Sequence, residues 1–142
     1  MSPEQITILL VEDLADDVFF FRRALKKASP GAVLHVVETG RQAIQYLANE
    51  DCFSDKASFP QPDFLFLDLK MPEVSGFELL NWVAGKFSRT PFEAIVLTSS
   101  DEPQDYKRAL DLGADGYFLK PITAEQLSHV FTRKQNARVG PA

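Results

Sequence analysis

The chain has 142 residues, 45% of them hydrophobic and 25% charged, which suits one globular domain with a full core and leaves little room for a second. A formal net charge of −5 argues against a nucleic-acid surface, because phosphate contacts need clustered Lys and Arg and no basic stripe is present. The lone Cys52 excludes an internal disulfide, and no apolar segment has the character of a signal peptide or the length of a membrane span, so a cytoplasmic location is expected.

Short apolar runs alternate with stretches of helical period, the pattern of βαβ units around a parallel sheet. In chain order the expected elements are β1 at about 6–12, α1 at about 15–28, β2 at about 33–38 and α2 at about 40–49. A loop over about 50–62 precedes β3 at about 63–68. Then come α3 at about 75–87, β4 at about 93–98, α4 at about 103–112, β5 at about 116–119 and α5 at about 123–134. Gln135 to Ala142 is read as a short frayed tail outside the domain of residues 1–134. Runs such as Phe64-Leu65-Phe66-Leu67 are continuously apolar, as in strands covered by helices on both faces. On α1 the core stripe is Val18, Phe21, Leu25 and Ala28; Phe19 lies about 160° from Phe21 and is expected on the outer face, as a docking contact or as one scattered surface apolar residue.

Four strands end in polar residues: Glu12 and Asp13 after β1, Asp68 after β3, Thr98 after β4 and Lys120 after β5. In an open α/β sheet those ends share one crevice. Three carboxylates brought together repel unless a cation or a lysine is present, and hard oxygen ligands without His or Cys select Mg²⁺, Mn²⁺ or Ca²⁺ over zinc, with Mg²⁺ the first choice because it takes one or two carboxylates plus waters and phosphate oxygens. Metal, ammonium and hydroxyl together suit a phosphoryl group, with Asp68 as nucleophile. Each residue also has a plainer alternative: Asp68 as a helix cap or turn former, Glu12 as a loop acid, Thr98 as a cap for α4, Lys120 as a surface lysine and Tyr117 as simple packing. Asp16 and Asp17 are read as favouring the first turn of α1 through the helix dipole rather than binding metal. His35 and His129 read as ordinary strand and helix residues.

Glu12-Asp13, Asp68 in Leu67-Asp68-Leu69-Lys70-Met71-Pro72, Gly76, Thr98 thirty residues after Asp68 and Lys120-Pro121 twenty-two after Thr98 resemble, over about residues 5 to 134, the receiver domain of two-component response regulators, the CheY-like family. The resemblance implies a doubly wound five-stranded sheet in the flavodoxin-like order 2-1-3-4-5. It implies that Asp68 accepts a phosphoryl group from a histidine kinase or phosphotransfer protein. Mg²⁺ is then held by Asp13, Asp68 and the Lys70 backbone carbonyl, with Glu12 acting through water. Lys120 pairs with Asp68 or its phosphate, and the Lys120-Pro121 bond is cis. Thr98 and Tyr117 form the switch, and Lys70 and Ser100 sit where such domains tune phosphate lifetime. The α1 surface with Phe19 is where a kinase docks, and the α4-β5-α5 face with Asp105, Tyr106, Arg108 and Tyr117 meets a downstream protein or a second copy.

The loop from Glu50 to Pro62 is longer than in the most compact receivers and resembles stand-alone regulators paired with phytochrome-type or hybrid kinases. With only a short tail after α5, no output domain is expected. A haloacid-dehalogenase-type phosphatase wants a second Asp where Lys70 stands, so no turnover enzyme is expected. A nucleotide-binding domain wants a glycine-rich loop after β1, and none is there. The remaining alternative is a phosphorylation-independent interaction module; such modules usually lose part of the acidic set, which is complete here.

Overall fold

The computed structural model describes residues 5–139. Its strands are β1 (Thr7–Val11), β2 (Val33–Val37), β3 (Phe64–Leu67), β4 (Glu93–Thr98) and β5 (Gly116–Leu119). All pair in parallel in the order β2-β1-β3-β4-β5. The helices are α1 (Ala15–Ala28), α2 (Gly40–Leu47), α3 (Gly76–Lys86), α4 (Pro103–Asp111) and α5 (Ala124–Val139). Both the five-and-five count and the strand order agree with the expectation from sequence.

Side chains alternate across the sheet, so each apolar run feeds two cores. Ile8, Leu10, Phe64, Phe66, Ile95 and Leu97 pack beneath α1 and α5 with Phe21, Leu25, Leu127 and Val130. Leu9, Val11, Leu65, Leu67 and Val96 face α2, α3 and α4, where Ala43, Tyr46, Leu79, Leu80, Val83 and Ala109 cover them. This two-sided cover is why β3 reads FLFL with no polar alternation. Phe21 meets Phe66 edge to face at 5.0 Å, and fully burying each such side chain contributes about 1.5–3 kcal/mol.

The long connection after α2 contains a 3₁₀ turn, Asp51–Phe53, and folds back onto the sheet edge. Tyr46 Oη donates to the Pro60 carbonyl at 2.9 Å, and Asn49 Nδ2 donates to the carbonyls of Phe53 and Phe59 at 3.1 Å each. His35, Tyr46, Phe53 and Phe59 form an aromatic box with ring separations of 5.1–5.9 Å. The loop is therefore built, not slack.

Two boundaries differ from the sequence reading in ways that matter. The strand β3 stops at Leu67, so Asp68 lies just past the last ladder residue. The helix α5 runs on to Val139, past the expected end at about 134 and into the expected tail. Nothing between Gln135 and Val139 breaks a helix; the first breakers are Gly140 and Pro141. Residues 140–142 lie outside the described residues.

Candidate functional site

The carboxyl ends of β1, β3, β4 and β5 bring Glu12, Asp68, Thr98 and Lys120 to one end of the sheet. Lys120 is the centre. Its ammonium donates hydrogen bonds to Asp68 Oδ2 at 2.6 Å and Asp17 Oδ2 at 2.7 Å, and forms an ion pair with Glu12 Oε1 at 2.6 Å. Its backbone N–H donates to the Thr98 carbonyl at 2.8 Å, which fixes where the side chain leaves β5. The Lys120-Pro121 peptide is cis, as expected.

Burial shapes the charges. Glu12 is 3% exposed, and its Oε2 also accepts the Leu14 N–H at 3.2 Å. Burial pushes the Glu12 carboxyl up, against the pull of the Lys120 ammonium and the Leu14 N–H. Burial alone would lower the Lys120 ammonium, yet bonds to Asp17, Asp68 and Glu12 outweigh it and hold the group above the ordinary lysine range. Three carboxylates on one ammonium leave an excess of two negative charges, which a divalent cation would offset.

Asp68 Oδ1 accepts the Lys70 N–H at 3.3 Å. The loop beyond it returns at Gly76, whose N–H donates to the Leu69 carbonyl at 3.0 Å, and a capping box of Ser75 and Glu78 then starts α3. Gly76 is required there because an added Cβ would overlap the Asp68 carbonyl oxygen. Asp13, expected beside Glu12, is exposed and is not among the partners of Lys120. Among the described residues no three acidic, His or Cys side chains form a ready-made metal cage. The donors that remain, carboxylates of Asp13 and Asp68 and a Lys70 carbonyl that accepts no backbone hydrogen bond among the described residues, are all oxygens and suit a hard divalent cation that keeps several waters.

Thr98 is 1% exposed, two residues along β4 from Val96, the ladder partner of Leu67. Its Oγ1 accepts the Ser100 N–H at 3.3 Å. The Ser100 Oγ donates to Asp105 Oδ2 at 2.6 Å, and its carbonyl accepts the Tyr117 hydroxyl at 2.9 Å. Burial pushes the Tyr117 phenol up, and nearby carboxylates add to it. Its ring stands edge to face with Tyr106 at 5.3 Å. Phe19 is 57% exposed, as its helical position implied, and its neighbours Leu14 and Phe20 are exposed at 56% and 49%. His35 is half-buried in the aromatic box.

Sequence reasoning missed Asp17 as a partner of Lys120. Asp17 does sit in the first turn of α1, but it is also one turn before Phe21, so its side chain is carried toward the sheet end. That i, i+4 relation to a core residue is the signal that could have found it.

Residues 8–132 match the model of the response regulator receiver domain, and this chain belongs to that family. The two-component response regulator ORR41 of Oryza sativa subsp. japonica is 32% identical over 134 residues, covering 94% of this chain and 97% of that protein. Other relatives are longer: the chain spans 28% of a probable cyclic di-GMP phosphodiesterase of Vibrio cholerae and 52% of the rice response regulator ORR1. Among solved structures, the bacteriophytochrome response regulator AtBRR superposes with a TM-score of 0.78 at 33% identity, covering 99% of this chain and 97% of that one. The Mn²⁺-bound form of the response regulator Rcp1, at 23% identity and a TM-score of 0.73, shares the fold over 96% of each chain. Among the described residues no helix is long and apolar enough to cross a membrane.

Proposed function

We propose that this receiver domain is the phosphoacceptor of a two-component phosphorelay, with Asp68 as the acceptor. The observation that carries the reading is the Lys120 ammonium 2.6 Å from Asp68 Oδ2 in a crevice with excess negative charge. An Asp68 carboxylate oxygen attacks the phosphorus of a phosphohistidine; the O–P bond forms as the P–N bond breaks, and the imidazole nitrogen leaves with the electron pair. Lys120 holds the carboxylate in place and then meets the charge on the transferred group. Asp13, Asp68 and the Lys70 carbonyl would hold Mg²⁺, with Glu12 acting through water, and the metal would neutralise phosphoryl oxygens. Thr98 turns its hydroxyl from the Ser100 N–H to a phosphoryl oxygen, and Tyr117 responds. The altered α4-β5-α5 face is then read by a partner protein in the cytoplasm.

The cognate donor docks on the exposed end of α1 around Phe19. Phe19→Ala then slows transfer from the kinase and leaves labelling by a small phosphodonor intact; equal slowing of both sinks this docking role. The test of the central claim is labelling with acetyl phosphate and Mg²⁺, read by intact mass, on wild type and Asp68→Asn. A Mg²⁺-dependent phosphoryl mass gain in wild type alone supports it. No gain in either favours a phosphorylation-independent interaction module.

A further inference from the structure

The Lys120 side chain has four rotatable carbons and ends in a point charge with three N–H bonds, so nothing intrinsic aims it. Here three elements aim it: Glu12 at the end of β1, Asp68 after β3 and Asp17 on the first turn of α1. Glu12 is buried and costly to keep ionised. Asp17 is different: it is 28% exposed and sits in the first turn of α1, at the positive end of the helix dipole. It supplies the ammonium with a hydrogen-bond acceptor from α1, in addition to those from the ends of β1 and β3.

We propose that Asp17 is a positioning residue for phosphoryl transfer: by accepting one N–H of Lys120, it keeps another aimed at Asp68. This role rests on the reading of Asp68 as phosphoacceptor. When the phosphoryl group arrives, the N–H that faced Asp68 must meet a phosphoryl oxygen, and the contacts to Glu12 and Asp17 are what hold the ammonium still. Without Asp17 the ammonium swings to the buried Glu12, and its approach to the reacting group is no longer prearranged. Asp17 gives one carboxylate oxygen to the ammonium at 2.7 Å, and the role proposed here is through that contact and not through the metal.

The experiment compares wild type, Asp17→Ala, Asp17→Asn and Asp68→Asn in acetyl phosphate labelling across a Mg²⁺ titration, below the unfolding range of every variant. Loss of a hydrogen bond to a charged group should slow Asp17→Ala about tenfold at saturating Mg²⁺, with the half-saturating Mg²⁺ little changed. Asn keeps an oxygen acceptor in place, so Asp17→Asn should stay within about threefold of wild type. A purely architectural Asp17 would lower the melting temperature and leave the labelling rate of folded protein alone, which overturns the proposal. A wild-type rate at saturating Mg²⁺ with a raised Mg²⁺ requirement makes Asp17 a metal ligand and also overturns it. Equal slowing of the Asn and Ala variants makes charge, not hydrogen bonding, the agent and overturns it too. Independently of any variant, a scalar coupling between Lys120 Nζ and the Asp17 carboxyl carbon, which exists only across a hydrogen bond, is expected in the wild-type NMR spectrum; its absence sinks the proposal. If wild type itself takes no phosphoryl group, the proposed function falls and this role with it; if wild type is labelled and Asp17→Ala matches it, only this role falls.

Discussion

Gly76→Ala is the substitution with the most direct consequence for Asp68. Gly76 opens α3 and packs its Cα against the backbone of the loop that follows β3. A methyl group there would overlap the Asp68 carbonyl oxygen and come within 2.7 Å of Leu69 Cα and 2.9 Å of the Asp68 carbonyl carbon. Ordinary contact begins at 3.4 Å, so α3 and the loop must part by at least about 0.7 Å at Leu69, and more at the overlapping oxygen. The obstacle is backbone on both sides and cannot rotate away. Overpacking of this kind costs about 1–3 kcal/mol, or a fall in melting temperature of roughly 3–12 °C for a domain of this size. The displacement falls on the residue that carries the carboxylate, so labelling should suffer beyond the loss of stability: a shift of about 1 Å in a reacting group can cost about 100-fold. Thermal unfolding by circular dichroism and acetyl phosphate labelling below the transition measure the two effects separately. A melting temperature within about 1 °C of wild type and an unchanged labelling rate would refute the close-packed picture of this loop.

Lys120→Met leaves Glu12, Asp17 and Asp68 without their shared cation, and breaking a largely buried ion pair costs about 3–5 kcal/mol. Mg²⁺ should recover part of that loss by mass action, so the melting temperature should fall in EDTA and rise with Mg²⁺ more steeply than in wild type; a variant indifferent to Mg²⁺ contradicts the electrostatic account. His35 is half-buried against Tyr46 and Phe59, and burial lowers its imidazole below 6.5. With the folded value depressed, its contribution is fully present above pH 6.5 and is lost as pH falls through the lower folded value. His35→Phe should flatten the urea midpoint against pH in that window, and an unchanged slope would mean that other groups set it.

Much of this was legible because the fold announces itself twice, once in the continuous apolar strands and once in the polar residues that end them. Asp68, Thr98 and Lys120 stand at strand ends in any register of a parallel sheet, so their convergence needed only the topology. Asp17 needed more: whether a helical carboxylate reaches a lysine 103 residues away depends on the rotation of α1 about its axis, which Phe21 sets by packing on Phe66. The same rotation decides among Phe19, Phe20 and Phe21, of which only the last is buried. The aromatic box was hidden for another reason. Phe53 and Phe59 lie in a stretch with no period, so their partial burial follows from a loop path fixed by Asn49 and Tyr46, not from any pattern in the residues themselves.

Ser100 explains how an event at Asp68 would reach the outer surface. Its N–H, hydroxyl and carbonyl bind Thr98, Asp105 and Tyr117 in turn, so one short segment is tied to the end of β4, the first turn of α4 and the middle of β5. Under the proposed function, Thr98 must give up the Ser100 N–H to reach a phosphoryl oxygen, and the freed segment shifts against whichever neighbour is held least. That neighbour is α4. Among its residues only Ala109 is buried, whereas α3 buries Leu79, Leu80 and Val83. Its other ties include the Ser100 Oγ to Asp105 hydrogen bond at 2.6 Å, Arg108 over the Phe77 ring at 4.1 Å and Tyr106 against Tyr117. A bond worth about 1 kcal/mol at Thr98 is small against a core helix but comparable to contacts of this kind, so under the proposed function the response would fall on α4 and Tyr117 and leave the sheet in place. The exposed Tyr106, Leu110 and Leu119 lie on α4 and β5, so under the proposed function the displaced helix would also carry apolar side chains that a partner could read.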